Sequence, residues 1–175
     1  MNRRGSNVVV VLAFAVTAFW MGGLIALGAV VAPVVFRLVP APLSGTAMGL
    51  VFRRFDGVAM TCSAVVLACE AALAAMHRVS RRDSGVLRTR TSDAARVAVA
   101  SALAGLAAFG GVVLTPRISE LHESGAIRGL GELGEQLERA HHLAELAAKG
   151  EVLLGLTLLA LYGARVAGSR HAAQD

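Results

Sequence analysis

The chain alternates long apolar runs with short polar stretches, and this pattern predicts helices that cross a membrane. The first run, residues 5–36, contains no charged residue. At about 1.5 Å of rise per helical residue, about 20 apolar residues cross a hydrocarbon core that is about 30 Å thick. The run is therefore long enough to span a bilayer, with length left for tilt or for a bend at Pro33. It is also longer than the apolar part of a cleaved signal peptide, so we expect it to be a retained helix.

Three further apolar runs bring the predicted number of spans to four. The pattern places them at about 7–32, 57–76, 95–115 and 143–164. The charge-free part of the fourth run is short, so the alternative for it is an amphipathic helix lying in the membrane interface. The fold class that follows is an all-α integral membrane protein. We expect a single domain over residues 1–175, with four transmembrane helices in an antiparallel bundle.

The connection between predicted helices 1 and 2 is also patterned. Pro40 and Pro42 interrupt the chain, and Met48, Phe52 and Phe55 then fall on one face of a helix. This spacing predicts a short interfacial helix that lies in the headgroup layer and ends before predicted helix 2.

Small residues at steps of four indicate how the helices would pack in lipid, where close approach of backbones is favoured. Predicted helix 2 carries Ala64, Ala68 and Ala72, and stripes of the same kind occur in predicted helices 1 and 3. We expect these stripes to face the interior of the bundle. Trp20 lies near the middle of predicted helix 1, so its indole N–H should also face inward and find a partner.

The distribution of Lys and Arg predicts the orientation in the membrane. Ten of these residues lie on the side of the two termini and seven on the other, and six of the ten are in the short loop between predicted helices 2 and 3. Basic loops stay in the cytoplasm, so both termini are predicted to be cytoplasmic, in the inner (cytoplasmic) membrane of the cell. The same arginines, placed to hold loops in the cytoplasm, account for the net charge of +5. Because 55% of the residues are apolar, we expect the lipid bilayer, not nucleic acid, to be the main partner. A second copy of the chain or another membrane protein is a further candidate partner.

Glu70 is the single charged residue within predicted helix 2, and an acid at that depth is costly. It should face the bundle and pair with a cation such as Arg96 or Arg165. Two interpretations stay open: an ion pair that sets the register of the helices, or a proton or cation site.

A polar stripe precedes and enters the fourth apolar run. Glu138, His142, Glu145 and Lys149 follow at steps of four, three and four, with His141 adjacent. The pairs Glu138–His142 and His141–Glu145 have a spacing that suits a divalent metal, which makes these four residues candidate ligands. Lys149 is a second intramembrane polar candidate. The alternative is a solvated charged face.

Cys62 and Cys69 are seven residues apart, too far along a helix to share a metal or to form a disulfide. We expect them to be reduced and to pack as small apolar side chains.

Several short motifs together resemble a known family. The resemblance is carried by Trp20-Met-Gly22, by Ala32-Pro33-Val-Val-Phe36, by Gly49-Leu-Val-Phe52, and by Thr115-Pro116-Arg-Ile. This combination is similar to the transmembrane protein 205-like family, a membrane domain of unknown function. The resemblance implies four membrane helices and a histidine ahead of the last one, which His141 or His142 would match. It implies no settled chemistry. The segments around Pro33 and Pro116 also resemble each other, as expected from a duplication or from the frequency of Pro at helix ends.

The sequence favours a non-enzymatic multi-pass protein that handles an ion, a metal or a small molecule within or across the membrane. One alternative is a haem- or metal-binding four-helix oxidoreductase, which would require a histidine within the first two helices; none precedes His77. The other is a structural or partner-binding bundle. The cofactor, if there is one, is not indicated by any motif.

Overall fold

The structure, a computed structural model, describes the backbone of residues 3–84 and 90–171 and the side chains of residues 5–76 and 92–166. Within these ranges the chain is helical apart from short connections. The helices form four rods. Rod 1 contains α1 (Arg3–Ala26), a π-helical turn (Leu27–Val31) and α2 (Ala32–Leu38), and rod 2 is α3 (Leu43–Ser84). Rod 3 contains α4 (Arg90–Phe109), a π-helical turn (Gly110–Leu114) and α5 (Thr115–Glu123). Rod 4 is α6 (Gly131–His171).

The two π-helical turns occupy equivalent places, each starting six residues before a proline. Pro33 and Pro116 lie at the start of α2 and α5, directly after these turns. Proline has no N–H to donate and its ring crowds the carbonyl four residues earlier. A π turn shifts the hydrogen bonds by one residue and widens the helix at that point, so both rods pass their proline without ending. The similarity between the two segments thus extends to the backbone.

Prolines and glycines set the connections between the rods. Val39 is extended because it precedes Pro40, and this ends α2. Gly125 has a φ of 78° and follows α5, while the Ala126 N–H donates to the Leu121 carbonyl at 3.0 Å. This is the glycine-dependent geometry that satisfies the free carbonyls at a helix end.

The prediction of a separate interfacial helix between helices 1 and 2 is wrong. Its residues form the first turns of α3, which continues without a break to Ser84. No proline lies within α3 and Gly57 keeps a helical conformation, so nothing ends the helix there. Met48 is buried and Phe55 packs against the core, so this apolar face meets protein and not headgroups.

Among the described residues, three helices are long and apolar enough to cross a membrane: Gly5–Leu38, Leu43–Met76 and Ser92–Glu123. The class of an all-helical membrane protein is therefore confirmed. The fourth predicted span, 143–164, lies within α6 and stays a prediction. Large apolar side chains such as Phe19 and Val11 are exposed on the outside of the rods, as contact with lipid requires.

The core lies between the four rods. α1 and α4 each pack against both α3 and α6. The side chains buried most completely are large: Trp20 and Met21 from α1, Leu103 from α4, and Leu158 and Tyr162 from α6. Cys62 and Cys69 lie in the same core as free thiols.

The prediction that the small-residue stripes face inward is wrong for predicted helix 2. Ala64, Ala68 and Ala72 are not in the buried core; Ala64 is exposed, and Gly22 of helix 1 is exposed as well. The seams are filled by larger side chains instead. The Trp20 Nε1–H is buried without an acceptor among the described residues, so the expected partner is not found there. Pro33, Phe36 and Pro116 are all exposed.

Eight of the ten basic residues counted on the side of the two termini lie outside the described side chains. This applies to Arg3 and Arg4, to five of the six arginines of the loop between predicted helices 2 and 3, and to Arg170. The five are Arg78, Arg81, Arg82, Arg88 and Arg90.

Candidate functional site

A buried ion pair links α3 to α4 near the end of the rods that carries the N-terminus. Arg96 Nε lies 3.2 Å from Glu70 Oε1, and Arg96 Nη2 lies 3.4 Å from Glu70 Oε2. Both side chains are almost completely buried. Of the two partners expected for Glu70, Arg96 is therefore the one that bonds to it.

The pair belongs to a larger cluster that we call the charged network: Ser6, Glu70, Asp93, Arg96 and Arg165. Asp93 Oδ1 lies 3.0 Å from Arg96 Nη1 and 3.5 Å from Arg165 Nη1. Arg165 also donates to Ser6 Oγ at 3.1 Å. Each of the four rods contributes at least one of these residues, so the network links all four rods near the same end.

Within the described residues, the network contains two acidic and two basic side chains. Glu70 and Asp93 face Arg96 and Arg165, and each of these four side chains is ion-paired. Tyr162 lies next to the Glu70 carboxylate, although its hydroxyl makes no hydrogen bond of good geometry with a described residue. A cluster balanced in this way is typical of a structural lock that sets helix register.

The four candidate metal ligands do not converge on one point. Glu138 accepts a hydrogen bond from Arg128 at 3.0 Å, and Glu145 accepts one from Lys149 at 2.8 Å. His142 is exposed. Within residues 5–76 and 92–166 no three His, Cys, Asp or Glu side chains are close enough together to hold a metal ion. Metal binding by these residues stays a prediction.

His141 instead lies against His122, which belongs to the same connection between predicted helices 3 and 4. The two ring centroids are 5.8 Å apart in an edge-to-face arrangement. His122 Nδ1 lies 2.8 Å from the Ile118 carbonyl, to which it donates when that nitrogen is protonated. Burial lowers the pKa of His141, and the positive charge of Arg128 and the neighbouring His122 lower it further. The protonated form of His141 is therefore disfavoured.

A large cavity opens between the rods at the end opposite the charged network. Its volume is about 1200 Å³. It is lined by parts of α1, α3, α4, α5 and α6 and reaches the buried core residues Ala59 and Ala107. His122 and His141 belong to its wall. We call it the outer cavity, since it lies at the end predicted to face away from the cytoplasm.

Two carboxylates lie together at the deep part of the outer cavity, beside the π-helical turn of rod 3. A Cβ atom on Gly110 would lie 3.8 Å from Glu151 Oε1, and one on Gly111 would lie 3.1 Å from Asp56 Cβ. Gly111 therefore allows α3 to bring Asp56 close to the turn, and Glu151 of α6 lies beside Gly110. Asp56 and Glu151 are close enough for their charges to interact.

These two acids have few partners. The Thr115 hydroxyl lies within hydrogen-bonding reach of the Asp56 carboxylate, but Asp56 Oδ2 is buried without a partner among the described residues. Glu151 is only 8% exposed, and it makes no hydrogen bond or ion pair with the part of the chain that the structure describes. A buried acid beside a half-buried one, with no counter-charge among the described residues, is costly, so their position suggests a function.

Sequence reasoning did not identify Asp56 and Glu151 as site residues. Asp56 lies just before the predicted second span. Glu151 lies in the first turns of the predicted fourth span, where a charged side chain can reach the membrane interface. One signal was present in the sequence: Glu151 has no basic residue three or four positions away that could pair with it along a helix. That the two acids meet depends on the packing of α3 against the rod 3 turn and of α6 against the same turn.

Comparison with known proteins identifies a family for this chain. Residues 15–126 match the family described as Domain of unknown function (DUF4149). The chain belongs to the DUF4149 family. The matched region covers rods 1 to 3 from Ala15 onward, so it includes Asp56, whereas Glu151 lies beyond it. No curated protein and no solved structure matches the chain.

Proposed function

We propose that this DUF4149 protein is a non-enzymatic membrane protein that binds a small solute in the outer cavity and handles it within or across the bilayer. The observation that carries the proposal is the acid pair in that cavity, Asp56, which is half-buried, and Glu151, which is buried; the pair has no counter-charge among the described residues. Groups of this kind inside membrane helices are kept for binding or transfer, because a structural role would be served at lower cost by apolar residues.

The shape of the cavity supports solute binding. Pockets that bind small molecules have volumes of roughly 300–1000 Å³ and are lined mainly by apolar side chains, with a few polar groups that orient the ligand. The outer cavity reaches this size. Its walls carry apolar side chains such as Leu24, Phe52 and Leu114, and its polar groups include Asp56 and Glu151.

The proposal includes a single domain of four antiparallel spans, with α6 as the fourth and both termini in the cytoplasm. Two features support it. α6 contributes Leu158 and Tyr162 to the common core, which a helix lying on the membrane surface would not do. The short basic loop between the second and third spans favours the cytoplasmic side. The charged network then closes the cytoplasmic end, and the cavity opens on the opposite face.

Two substitutions of valine by cysteine, made one at a time, test the proposal. They are matched because both positions carry valine and lie at or near the π-helical turn of rod 3. Val152 lines the cavity, whereas Val112 is 61% exposed on the outside of the rods and does not line it. The reagent is a methanethiosulfonate that carries a quaternary ammonium group and does not cross membranes. It is added to sealed vesicles of each orientation.

We expect Val152→Cys to react at least tenfold faster than Val112→Cys, and only from the outer face. The unsubstituted chain is the background control, because Cys62 and Cys69 are buried. Equal rates at the two positions would show that no aqueous cavity reaches the acid pair, and would contradict the proposed function. Reaction from the cytoplasmic face would contradict the orientation.

A further inference from the structure

We infer that the ligand of the outer cavity is a lipophilic organic cation, held by Asp56 and Glu151 through its positive charge and by the apolar walls through its body. This inference rests on the proposed function and specifies the chemical class of the solute. Three features of the cavity support it: the charges that face it, the ligand groups available there, and the composition of its walls.

No basic side chain among the described residues supplies a positive charge to the acid pair. Asp56 and Glu151 come from different helices and meet beside the same π turn. No Lys or Arg among residues 5–76 and 92–166 forms an ion pair with either. Two carboxylates side by side in a site of low polarity attract a cation strongly.

The basic residues near the cavity bond to other groups. Lys149 is ion-paired with Glu145 and Arg128 with Glu138, and all four side chains are at least half exposed. Arg53 is exposed and donates to Ser119 Oγ at 3.0 Å. These cations therefore lie at the rim, whereas the buried part of the cavity carries the two acids.

The acid pair offers few protein ligands to a metal ion, which would need water for the rest of its coordination. Hard divalent cations bind six or more oxygen ligands, and zinc binds about four nitrogen, sulfur or oxygen ligands. The acid pair offers two carboxylates and the Thr115 hydroxyl, and the described part of the chain has no group of three metal-ligating side chains. An organic cation makes no such demand, because its charge needs only a counter-charge.

The walls suit the body of such a cation. Leu24, Ile25, Phe52, Phe55 and Leu114 line the cavity near the acids. Aliphatic side chains bury an apolar ligand, and the aromatic rings can also attract a cation through their faces. A strongly hydrated inorganic ion would gain nothing from these walls.

The test compares two probes of similar shape that differ in charge: tetraphenylphosphonium, a cation, and triphenylphosphine oxide, which is neutral. Binding to the full chain in detergent is measured by isothermal titration calorimetry. We expect the dissociation constant of tetraphenylphosphonium to be at least tenfold lower than that of the neutral oxide. Bound tetraphenylphosphonium should also slow the labelling of Val152→Cys, which locates it in the cavity.

The variants Asp56→Asn and Glu151→Gln remove one carboxylate each and keep the size of the side chain. We expect each to weaken tetraphenylphosphonium binding at least tenfold and to leave binding of the neutral oxide within about twofold, which also shows that the cavity is still formed. Glu135→Gln is the matched control, because it makes the same charge change at an exposed site outside the cavity, and it should have no effect.

Equal affinity for the two probes in the unsubstituted protein, or no binding of either, would overturn the inference whether or not the variants fold. Unchanged tetraphenylphosphonium binding in both variants would overturn it as well. If Val152→Cys is labelled from the outer face but the charge of the probe does not change its affinity, the inference fails and the proposed function stands. If Val152→Cys is not labelled, the proposed function itself fails.

Discussion

Arg96 Nε lies 3.2 Å from Glu70 Oε1. The two residues are 26 positions apart in the sequence, so this bond joins α3 to α4. The two partners are not equivalent. Arg96 also bonds to Asp93 Oδ1 at 3.0 Å, so it keeps one carboxylate if Glu70 is lost. Arg96 is the basic residue that bonds to Glu70 among the residues that the structure describes. The loss of Arg96 should therefore be the more damaging change.

We predict that Arg96→Met lowers the free energy of unfolding by about 3–5 kcal/mol, since it leaves the Glu70 carboxylate buried without its bonded partner. Glu70→Gln should cost about 1–3 kcal/mol, because the amide oxygen can still accept a hydrogen bond from Arg96. Chemical unfolding in detergent micelles, followed by circular dichroism, measures both changes.

The double variant Glu70→Leu with Arg96→Met should recover part of the loss, because both members of the buried pair are then apolar. Glu145→Gln is the control, since it changes an exposed i,i+4 pair that water already solvates. A larger loss for Glu70→Gln than for Arg96→Met would show that Glu70 does not depend on Arg96 in the way described.

A second prediction concerns Gly155 on α6. A Cβ atom there would clash with the side chain of Met21, which is only 2% exposed. Gly155→Ala should lower the free energy of unfolding by about 1–3 kcal/mol through overpacking. Gly163→Ala is the matched control on the same helix, because a Cβ atom added there would have no atom within 4 Å. The control should leave stability unchanged or raise it by up to about 1 kcal/mol.

Thermal unfolding of the two glycine variants in the same detergent measures the difference. If the variants have equal midpoints, α6 does not pack against α1 at this position. That result would also weaken the assignment of α6 as a fourth span.

The third prediction is a pH dependence that comes from His141. Burial lowers its pKa in the folded protein, with Arg128 and His122 acting in the same direction and Glu138 opposing them. Below about pH 6.5 the unfolded chain binds a proton at this histidine that the folded protein does not bind. The stability linked to His141 is therefore present above that pH and is lost as the pH falls.

Unfolding midpoints at about pH 7.5 and about pH 5.5, on either side of the usual histidine pKa, measure this effect. His141→Gln should reduce the drop in midpoint between the two conditions. His142→Gln, a change at an exposed neighbour, should leave the drop as it is in the unsubstituted protein. The same drop in all three proteins would place the titrating group elsewhere.

The fourth prediction concerns the close approach of α3 to the π-helical turn at Gly111. A Cβ atom on Gly111 would lie 3.1 Å from Asp56 Cβ, so Gly111→Ala should displace Asp56 and weaken binding of tetraphenylphosphonium several-fold. Gly105→Ala, in the same rod, introduces a methyl group into open space and should not change binding. Equal affinities for the two variants would show that the glycine is not needed to position Asp56.

The sequence by itself determined the class of the protein. Runs of apolar residues with the length of a bilayer are sufficient to indicate membrane helices, because a long charge-free stretch has few other stable environments. Glu70 was also recognisable as an inward-facing acid, since a single charge within such a run cannot face lipid at low cost. The two prolines after the first and third helices were visible, although the π-helical turns that accompany them were not.

Only the tertiary structure decided which faces meet. In a membrane helix the lipid-facing side and the core-facing side are both apolar, so hydropathy does not distinguish them. For this reason the Ala64, Ala68 and Ala72 stripe was assigned to the interior, while the structure leaves it outside the core and buries Trp20 and Tyr162 instead. The meeting of Asp56 with Glu151 has the same cause: the two acids are distant in sequence, and the packing of two helices against one glycine-containing turn brings them together.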